Sequence, residues 1–139
     1  MKEALIKTLT TLRSSLPMIL GVLLLISLLG SVFEGGYSKV FTGNYFLDPL
    51  LGALLGSISF GIPVTSYVAG GELLKEGVSL LAVTAFVLAW TTVGIAMLPI
   101  EAEVFGRKFA FLRNGLNFVS AILIAILTVT TLRILGFVV

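Results

Sequence analysis

Residues 56–72 read GSISFGIPVTSYVAGGE and place the two poorest helix formers, Gly61 and Pro63, inside an apolar stretch. All of this stretch except its last residue, Glu72, lies within residues 49–71, an uncharged run of 23 residues. That length suits a membrane-crossing helix, which needs about 20 apolar residues. Pro63 removes a backbone donor and its ring clashes with the carbonyl of the residue four positions earlier, Ser59. The stretch therefore predicts a membrane segment whose helix is disturbed at its centre.

The composition of the whole chain favours a membrane protein. The 139 residues are 58% hydrophobic and 12% charged, and the mean hydropathy is +1.14. Soluble domains are about 45–50% apolar and about 25% charged, so a soluble core would not absorb this much apolar surface.

The chain also lacks the residues that most chemistry needs. It contains no cysteine and no histidine, which excludes disulfides, thiolate nucleophiles and histidine acid–base catalysis. The seven carboxylates form no ligand pattern, and the nine basic residues are too scattered for a nucleic-acid surface. We therefore expect no enzymatic activity, no cofactor, no metal and no nucleic-acid partner.

Charged residues divide the chain into four apolar blocks. Uncharged runs of 20, 23, 24 and 19 residues occupy positions 14–33, 49–71, 77–100 and 114–132. We therefore predict an all-α integral membrane protein, a single membrane domain over residues 1–139, with four hydrophobic segments at about 16–33, 49–71, 78–99 and 114–138. Residues 1–15 carry leucines at helical spacing and predict an interfacial helix; a signal peptide is the alternative interpretation.

The second segment, residues 49–71, allows two interpretations. In one, Pro63 only kinks a continuous helix, and the hydroxyls of Ser59 and Thr65 replace the lost hydrogen bonds. In the other, the helix stops near Phe60 and restarts at Pro63, a favoured first helical position. The segment is then broken or re-entrant at Gly61–Pro63, and the new helix start, with Thr65 and Ser66, faces a cavity at mid-depth. Broken helices of this kind mark transporter binding sites.

Glycines give further local predictions. Gly52 and Gly56 have the spacing of a close helix–helix contact. Gly70 and Gly71 are expected to end the second segment, before a short polar helix that Gly77 closes.

The third segment is expected to begin at Ser79, which can cap a helix, and to be interrupted at Gly94. Thr91 and Thr92 lie deep in it and are predicted to point at the break in the second segment, although threonines in membrane helices commonly bond their own backbone.

The remaining polar residues are assigned to an interfacial connector and a packing face. The connector, residues 100–114, is predicted to form an interfacial helix in which Glu103 and Arg107 pair one turn apart. In the last segment one helical stripe is predicted to pack against protein; the positions of this stripe are 117, 120, 124, 128 and 131. Asn117, on this stripe, is predicted either to face a pathway or to make a structural hydrogen bond.

The distribution of basic residues depends on how the second segment inserts. If all four segments span, the two sides carry five and four basic residues, which gives almost no orientation signal. If the second segment is a re-entrant hairpin, the count becomes six against three, as in an ordinary protein with its N-terminus inside. Balanced charges would instead favour dual insertion and an antiparallel dimer.

The stretch from Ser57 to Gly94 resembles the predicted permease family that includes YraQ and the organoarsenical efflux permease ArsP. The resemblance rests on SISFGIP at residues 57–63, GVSLLA at 77–82, Ala85–Phe86 and the helix from Ala89 to Gly94. It implies a permease with the Gly61–Pro63 element in the transport site. Family members look like two such units fused, so this chain resembles a half-size member that pairs with itself or a sister chain. Ser57 and Ser59 stand where the family carries cysteines, so thiol capture of trivalent arsenic is not available here.

The sequence therefore predicts a multi-pass permease of the cell membrane that moves a small solute, acting as a homodimer or with a sister half-permease. A non-transporting accessory subunit and a channel are the alternatives. The predicted substrate pathway comprises Ser57, Ser59, Gly61, Pro63, Thr65, Ser66, Thr91, Thr92, Gly94 and Asn117.

Overall fold

The computed structural model describes residues 3–10, 13, 16–17, 20–21, 24, 28, 41–59 and 62–137, and helix is the only regular secondary structure in them. Residues 3–10 are helical and exposed. The main body contains α1 (Leu47–Ile58), α2 (Pro63–Lys75), α3 (Leu80–Thr92), α4 (Leu98–Phe105) and α5 (Arg107–Ile134), with a 3-10 turn at Ile95–Met97. Most of the predicted first segment, 16–33, lies outside the described residues.

The second predicted segment is divided between two separate helices. α1 ends at Ile58, Ser59 is extended with ψ of 143°, and Ile62 is extended with ψ of 147° before α2 begins at Pro63. Pro63 occupies a first-turn position, where its missing N–H costs no helical hydrogen bond. The predicted stop and restart is confirmed, and the kinked continuous helix is wrong.

The chain reverses direction at this break. A Cβ on Gly52 would collide with the Ala82 carbonyl, and a Cβ on Gly56 with that of Phe86, so α1 and α3 advance together and are parallel. α2 runs antiparallel to α3, because the two helices are joined by a short connection that the Val78 N–H closes onto the Leu73 carbonyl at 3.0 Å. α1 and α2 therefore form a helical hairpin packed on α3, and the predicted close contact of Gly52 and Gly56 is confirmed.

The glycines at positions 70 and 71 do not end a helix, contrary to expectation. α2 continues through them to Lys75, and Gly77, with φ of +85°, lies just beyond its end. A Cβ on Gly70 would lie 3.0 Å from a methyl of Val83 and 3.1 Å from one of Val87. A side chain at position 70 would require the two valine side chains to shift, so the close packing of α2 on α3 favours glycine there despite its poor helix propensity.

The third predicted segment is also interrupted. Ser79 caps α3 by accepting the Ala82 N–H at 3.3 Å, as predicted. α3 stops at Thr92, and the chain passes through Val93 and Gly94 into the 3-10 turn and α4. The expected interruption at Gly94 is therefore a complete end of the helix, and residues 78–99 do not form one helix.

The connector is two helix ends rather than one interfacial helix. Gly106, with φ of +89°, separates α4 from α5. Glu103 and Arg107 consequently lie on different helices, and the described residues contain no ion pair between them. The predicted one-turn pairing is wrong because a left-handed glycine breaks the helical spacing on which it depends.

The face of α5 that packs inward consists mainly of small residues. Ala121, Ala125 and Val129 are buried in one cluster with Ala85 and Ala89 of α3. This face is not the stripe predicted from the sequence. Of that stripe, positions 120, 124, 128 and 131 are exposed and only Asn117 is partly buried. Alanines allow two helices to approach closely, and they decide which face of α5 is covered.

Much of the outer surface is apolar. Large hydrophobic side chains on α5, among them Leu116, Leu123 and Leu127, are more than half exposed. Two helical stretches are long and apolar enough to cross a membrane, namely Leu80–Phe105, taken across its interruption, and Arg107–Ile134. Both stretches qualify by their length and composition.

Candidate functional site

A cavity of about 230 Å³ lies where the two helix interruptions meet. The end of α1 supplies Ser59, and the end of α3 supplies Thr91, Thr92 and Gly94. Among the described residues, the lining comprises Ser59, Trp90, Thr91, Thr92, Val93, Gly94, Ala96, Met97, Glu101 and Arg113. The structure thus brings four of the predicted pathway residues to one place, together with three polar or aromatic residues that were not predicted.

The hydroxyl groups in this cavity have their protons engaged by the backbone. Ser59 Oγ donates to the Leu55 carbonyl at 2.7 Å, and Thr92 Oγ1 donates to that of Leu88 at 2.7 Å. Thr91 Oγ1 lies 3.0 Å from the Leu88 carbonyl. Each hydroxyl oxygen therefore retains only lone pairs for a further partner.

An ion pair between Glu101 of α4 and Arg113 of α5 forms one wall of the cavity. Asn114 donates to the other Glu101 oxygen, Oε2, at 3.0 Å. The Glu101 side chain is 18% exposed and that of Arg113 is 41% exposed. The carboxylate is therefore the more firmly held member of the pair.

Two asparagines of α5 form hydrogen bonds with backbone groups at the end of α3. Asn114 Oδ1 accepts the Gly94 N–H at 2.9 Å, and Asn117 Nδ2 donates to the Thr92 carbonyl at 2.8 Å. A helix end leaves such backbone groups without partners, so these amides stabilise the interruption. The bonding role of Asn117 is the structural one of its two predicted roles.

Trp90 also lines the cavity. It is the only tryptophan in the chain and is buried, with its ring edge-on to Phe86 at a centroid distance of 5.3 Å. This packing fixes the indole at the end of α3, where it can report on occupancy of the cavity.

Those of the other predicted residues that the structure describes lie outside the cavity lining. Ser57, Thr65 and Ser66 are buried in helix contacts, so the start of α2 does not present Thr65 and Ser66 to the cavity as expected. Ser57 Oγ bonds the Leu54 carbonyl at 2.8 Å and Ser66 Oγ bonds that of Pro63 at 2.7 Å, whereas the Thr65 hydroxyl has no partner. Pro63 is exposed, and Gly61 lies outside the described residues.

Sequence reasoning missed Glu101, Arg113 and Trp90 as cavity residues. It placed the two charged residues in an interfacial helix, because they flank apolar runs. The available signal was that each lies within a turn or two of a helix interruption, at Gly94 and Gly106, and that Trp90 adjoins the threonine pair.

A second polar cluster lies at the opposite end of the hairpin. Asp48 is 1% exposed, and its Oδ2 accepts the Ser79 hydroxyl at 3.0 Å and the Gly43 N–H at 3.2 Å. Its Oδ1 has no partner. Tyr45 nearby bonds Thr130 of α5. This cluster joins the start of α1 to the start of α3.

The described residues show no metal-ligand cluster, either in these two polar groups of side chains or elsewhere. They contain no group of three acidic ligands that could hold a metal ion. Comparison with protein-family models, curated proteins and solved structures gave no match.

Proposed function

We propose that the protein is a multi-pass permease of the cell membrane that translocates a small solute past the cavity at the two helix interruptions. The observation that carries this proposal is the convergence of two broken helices on one polar cavity in a chain with an apolar exterior. Irregular backbone at membrane depth is tolerated where it is buried in protein or lines water, and it is how many transporters build their sites.

The dimensions of α5 support a membrane location. Its 28 residues extend about 42 Å, more than the roughly 30 Å of hydrocarbon in a bilayer. Only 17% of its most apolar 18-residue window is buried within the chain. A helix at the core of a soluble protein would be covered, so lipid or a partner helix is the fitting environment.

The hairpin fits a re-entrant element. α1 and α2 have 12 and 13 residues and extend about 18–20 Å, which is too short to cross. The bond between Asp48 and Ser79 holds the starts of α1 and α3 at one level, on the same side as Lys75. The re-entrant arrangement is the one that gives a charge bias of six against three basic residues.

A homodimer, or a pair with a sister half-permease, is part of the proposal. One chain supplies only one hairpin and one interrupted segment to the cavity, whereas transporter sites commonly lie between two related repeats. The resemblance to half-size permeases is consistent with this arrangement and stays a prediction.

Flux through proteoliposomes tests the proposal. A Thr91→Cys variant introduces a thiol at the cavity, and a Thr131→Cys variant places one on the exposed face of α5 as the control; native cysteine is absent. Light-scattering assays with ethylammonium, urea and glycerol as test solutes measure solute entry before and after a thiol-reactive ammonium reagent. We expect modification to block flux in Thr91→Cys and to leave Thr131→Cys unchanged.

The alternatives predict other outcomes. A folded protein that passes none of the test solutes, with no effect of modification, would favour an accessory subunit. Steady ohmic currents of single-channel size in planar bilayers would favour a channel.

A further inference from the structure

We propose that the cavity binds small organic ammonium cations. This inference deepens the proposed function, since it names the class of solute, but binding itself is measured without transport. The cavity presents hydrogen-bond acceptors, one firmly held carboxylate and an indole, and these are the groups that an alkylammonium requires.

The acceptors follow from the local backbone. Because Ser59, Thr91 and Thr92 donate their hydroxyl protons to carbonyls of the preceding turn, their oxygens can only accept from a solute. An anion needs donors and would find none among these three groups. A primary ammonium carries three N–H donors and no acceptor, so it matches them.

The backbone adds to this preference. α1 and α3 are parallel, so both present their C-terminal ends to the cavity, and helix C-termini carry partial negative charge. The N–H of Gly94, which would be a donor at the second interruption, is already bonded to Asn114. The start of α2 contributes none of the described lining residues.

The ion pair supplies the charge. Arg113 lines the cavity and is bound to Glu101, and it is the more exposed partner. Asn114 holds the carboxylate from its other oxygen. An entering ammonium can therefore take the place of Arg113, which turns outward, while Glu101 remains in position.

Trp90 completes the site. Indole is the aromatic side chain whose face attracts cations most strongly, and Trp90 lines the cavity beside the threonines. The volume of about 230 Å³ accommodates a cation of the size of ethylammonium or tetramethylammonium.

Intrinsic fluorescence measures the binding directly, since Trp90 is the only tryptophan. The purified full chain in lipid nanodiscs is titrated with ethylammonium and tetramethylammonium, and with propionate and propanol as anionic and neutral probes of similar size. We expect a saturable change in Trp90 emission with ethylammonium, a weaker one with tetramethylammonium, which carries the charge but no N–H donor, and none with propionate or propanol.

Glu101→Gln should weaken ethylammonium binding about tenfold or more, because it removes a charge-assisted hydrogen bond. The same variant releases Arg113 and should gain affinity for propionate. Glu103→Gln is the matched control, since Glu103 is an exposed acid on the same helix outside this cavity, and it should bind like the native protein.

A second variant covers the event that Glu101→Gln unfolds. Thr91→Val removes one acceptor and should weaken ethylammonium about three- to tenfold. Thr131→Val removes a hydroxyl bonded in the same way, to the Leu127 carbonyl at 2.8 Å, but lies on the exposed face of α5 and should have no effect.

The inference is overturned if propionate saturates the native protein and the cations do not, or if none of the four probes gives a saturable change. Saturable ammonium binding without flux would remove the proposed transport and leave the binding site. Flux of neutral solutes without ammonium binding would do the reverse.

Discussion

At the scale of single residues, two glycines determine how closely α1 approaches α3. The backbone of α1 at Gly52 and Gly56 lies against the carbonyls of Ala82 and Phe86, with no room for a Cβ at either position. The contact involves backbone rather than flexible side chains, so it cannot relax by a rotamer change. Shape at these positions is therefore more important than hydrophobicity.

Gly52→Ala should destabilise the fold by about 1–3 kcal/mol, the usual cost of overpacking a tight contact. The control is Gly115→Ala on α5, where a Cβ would meet nothing within 4 Å. That control should be neutral or stabilising by up to about 1 kcal/mol, because alanine is the better helix former. Thermal unfolding followed by circular dichroism in detergent measures both, and equal effects would contradict the close contact.

Asp48 is buried although its position in the sequence would suggest an exposed residue. It marks the edge of an apolar run, yet it is buried and bonds Ser79 and Gly43 through one oxygen. It thereby connects the start of the hairpin to the cap of α3.

Asp48→Ala should lower the free energy of unfolding by about 1–3 kcal/mol, because it removes the buried charged acceptor of the Ser79 hydroxyl and the Gly43 N–H. Glu76→Ala removes an acid that is exposed and serves as the control. Chemical denaturation monitored by Trp90 emission compares the two variants. An Asp48→Ala variant as stable as the control would argue against a stabilising connection between Asp48 and the cap of α3.

At the scale of helices, the decisive feature is the reversal between α1 and α2. The proline determines where α2 starts, and the short connection that the Val78 N–H closes onto the Leu73 carbonyl makes α2 antiparallel to α3. A re-entrant hairpin keeps the loops before α1 and after α2 on one side of the membrane. Accessibility from the two sides separates this arrangement from four full spans.

Single cysteines at Thr42 and Lys75 should both react with an impermeant thiol reagent from the same side of the membrane. A cysteine at Lys108, at the start of α5, should react only from the opposite side, because the proposed topology places the candidate span Leu80–Phe105 between Lys75 and Lys108. The measurement uses sealed vesicles of known orientation. Opposite labelling of positions 42 and 75 would mean a spanning second segment, and labelling of each from both sides would mean dual insertion.

At the scale of the whole molecule, the described residues from 41 onward form four short helices, α1 to α4, and one long helix, α5. α5 contacts α3 through alanines on one face and leaves apolar side chains exposed on the other. Such a surface can meet lipid or a second copy of the chain. The proposed function places a second copy of the chain, or a sister half-permease, on this surface.

Native mass spectrometry from lipid nanodiscs should therefore detect a species with twice the mass of the 14.8-kDa chain. Under the proposed function a dimer is expected, because transporter sites commonly lie between two related repeats. A protein that is monomeric at all concentrations and still supports flux would contradict this part of the proposal.

Some of this organisation is local, and the sequence by itself determined it. The all-helical class and the apolar character follow from composition, and the cap at Ser79 and the break before Pro63 follow from chemistry within a few residues. Thr91, Thr92 and Ser59 were also recognised, because hydroxyls and interruptions stand out in an apolar run.

Only the tertiary structure decided how these features combine. The hairpin reversal, the burial of Thr65 and Ser66, the covered alanine face of α5 and the entry of Glu101 and Arg113 into the cavity all depend on contacts between residues distant in sequence. Hydrophobic periodicity is similar for lipid-facing and protein-facing surfaces in an apolar chain, so it does not distinguish them. Close packing does, because only small residues allow two backbones to approach.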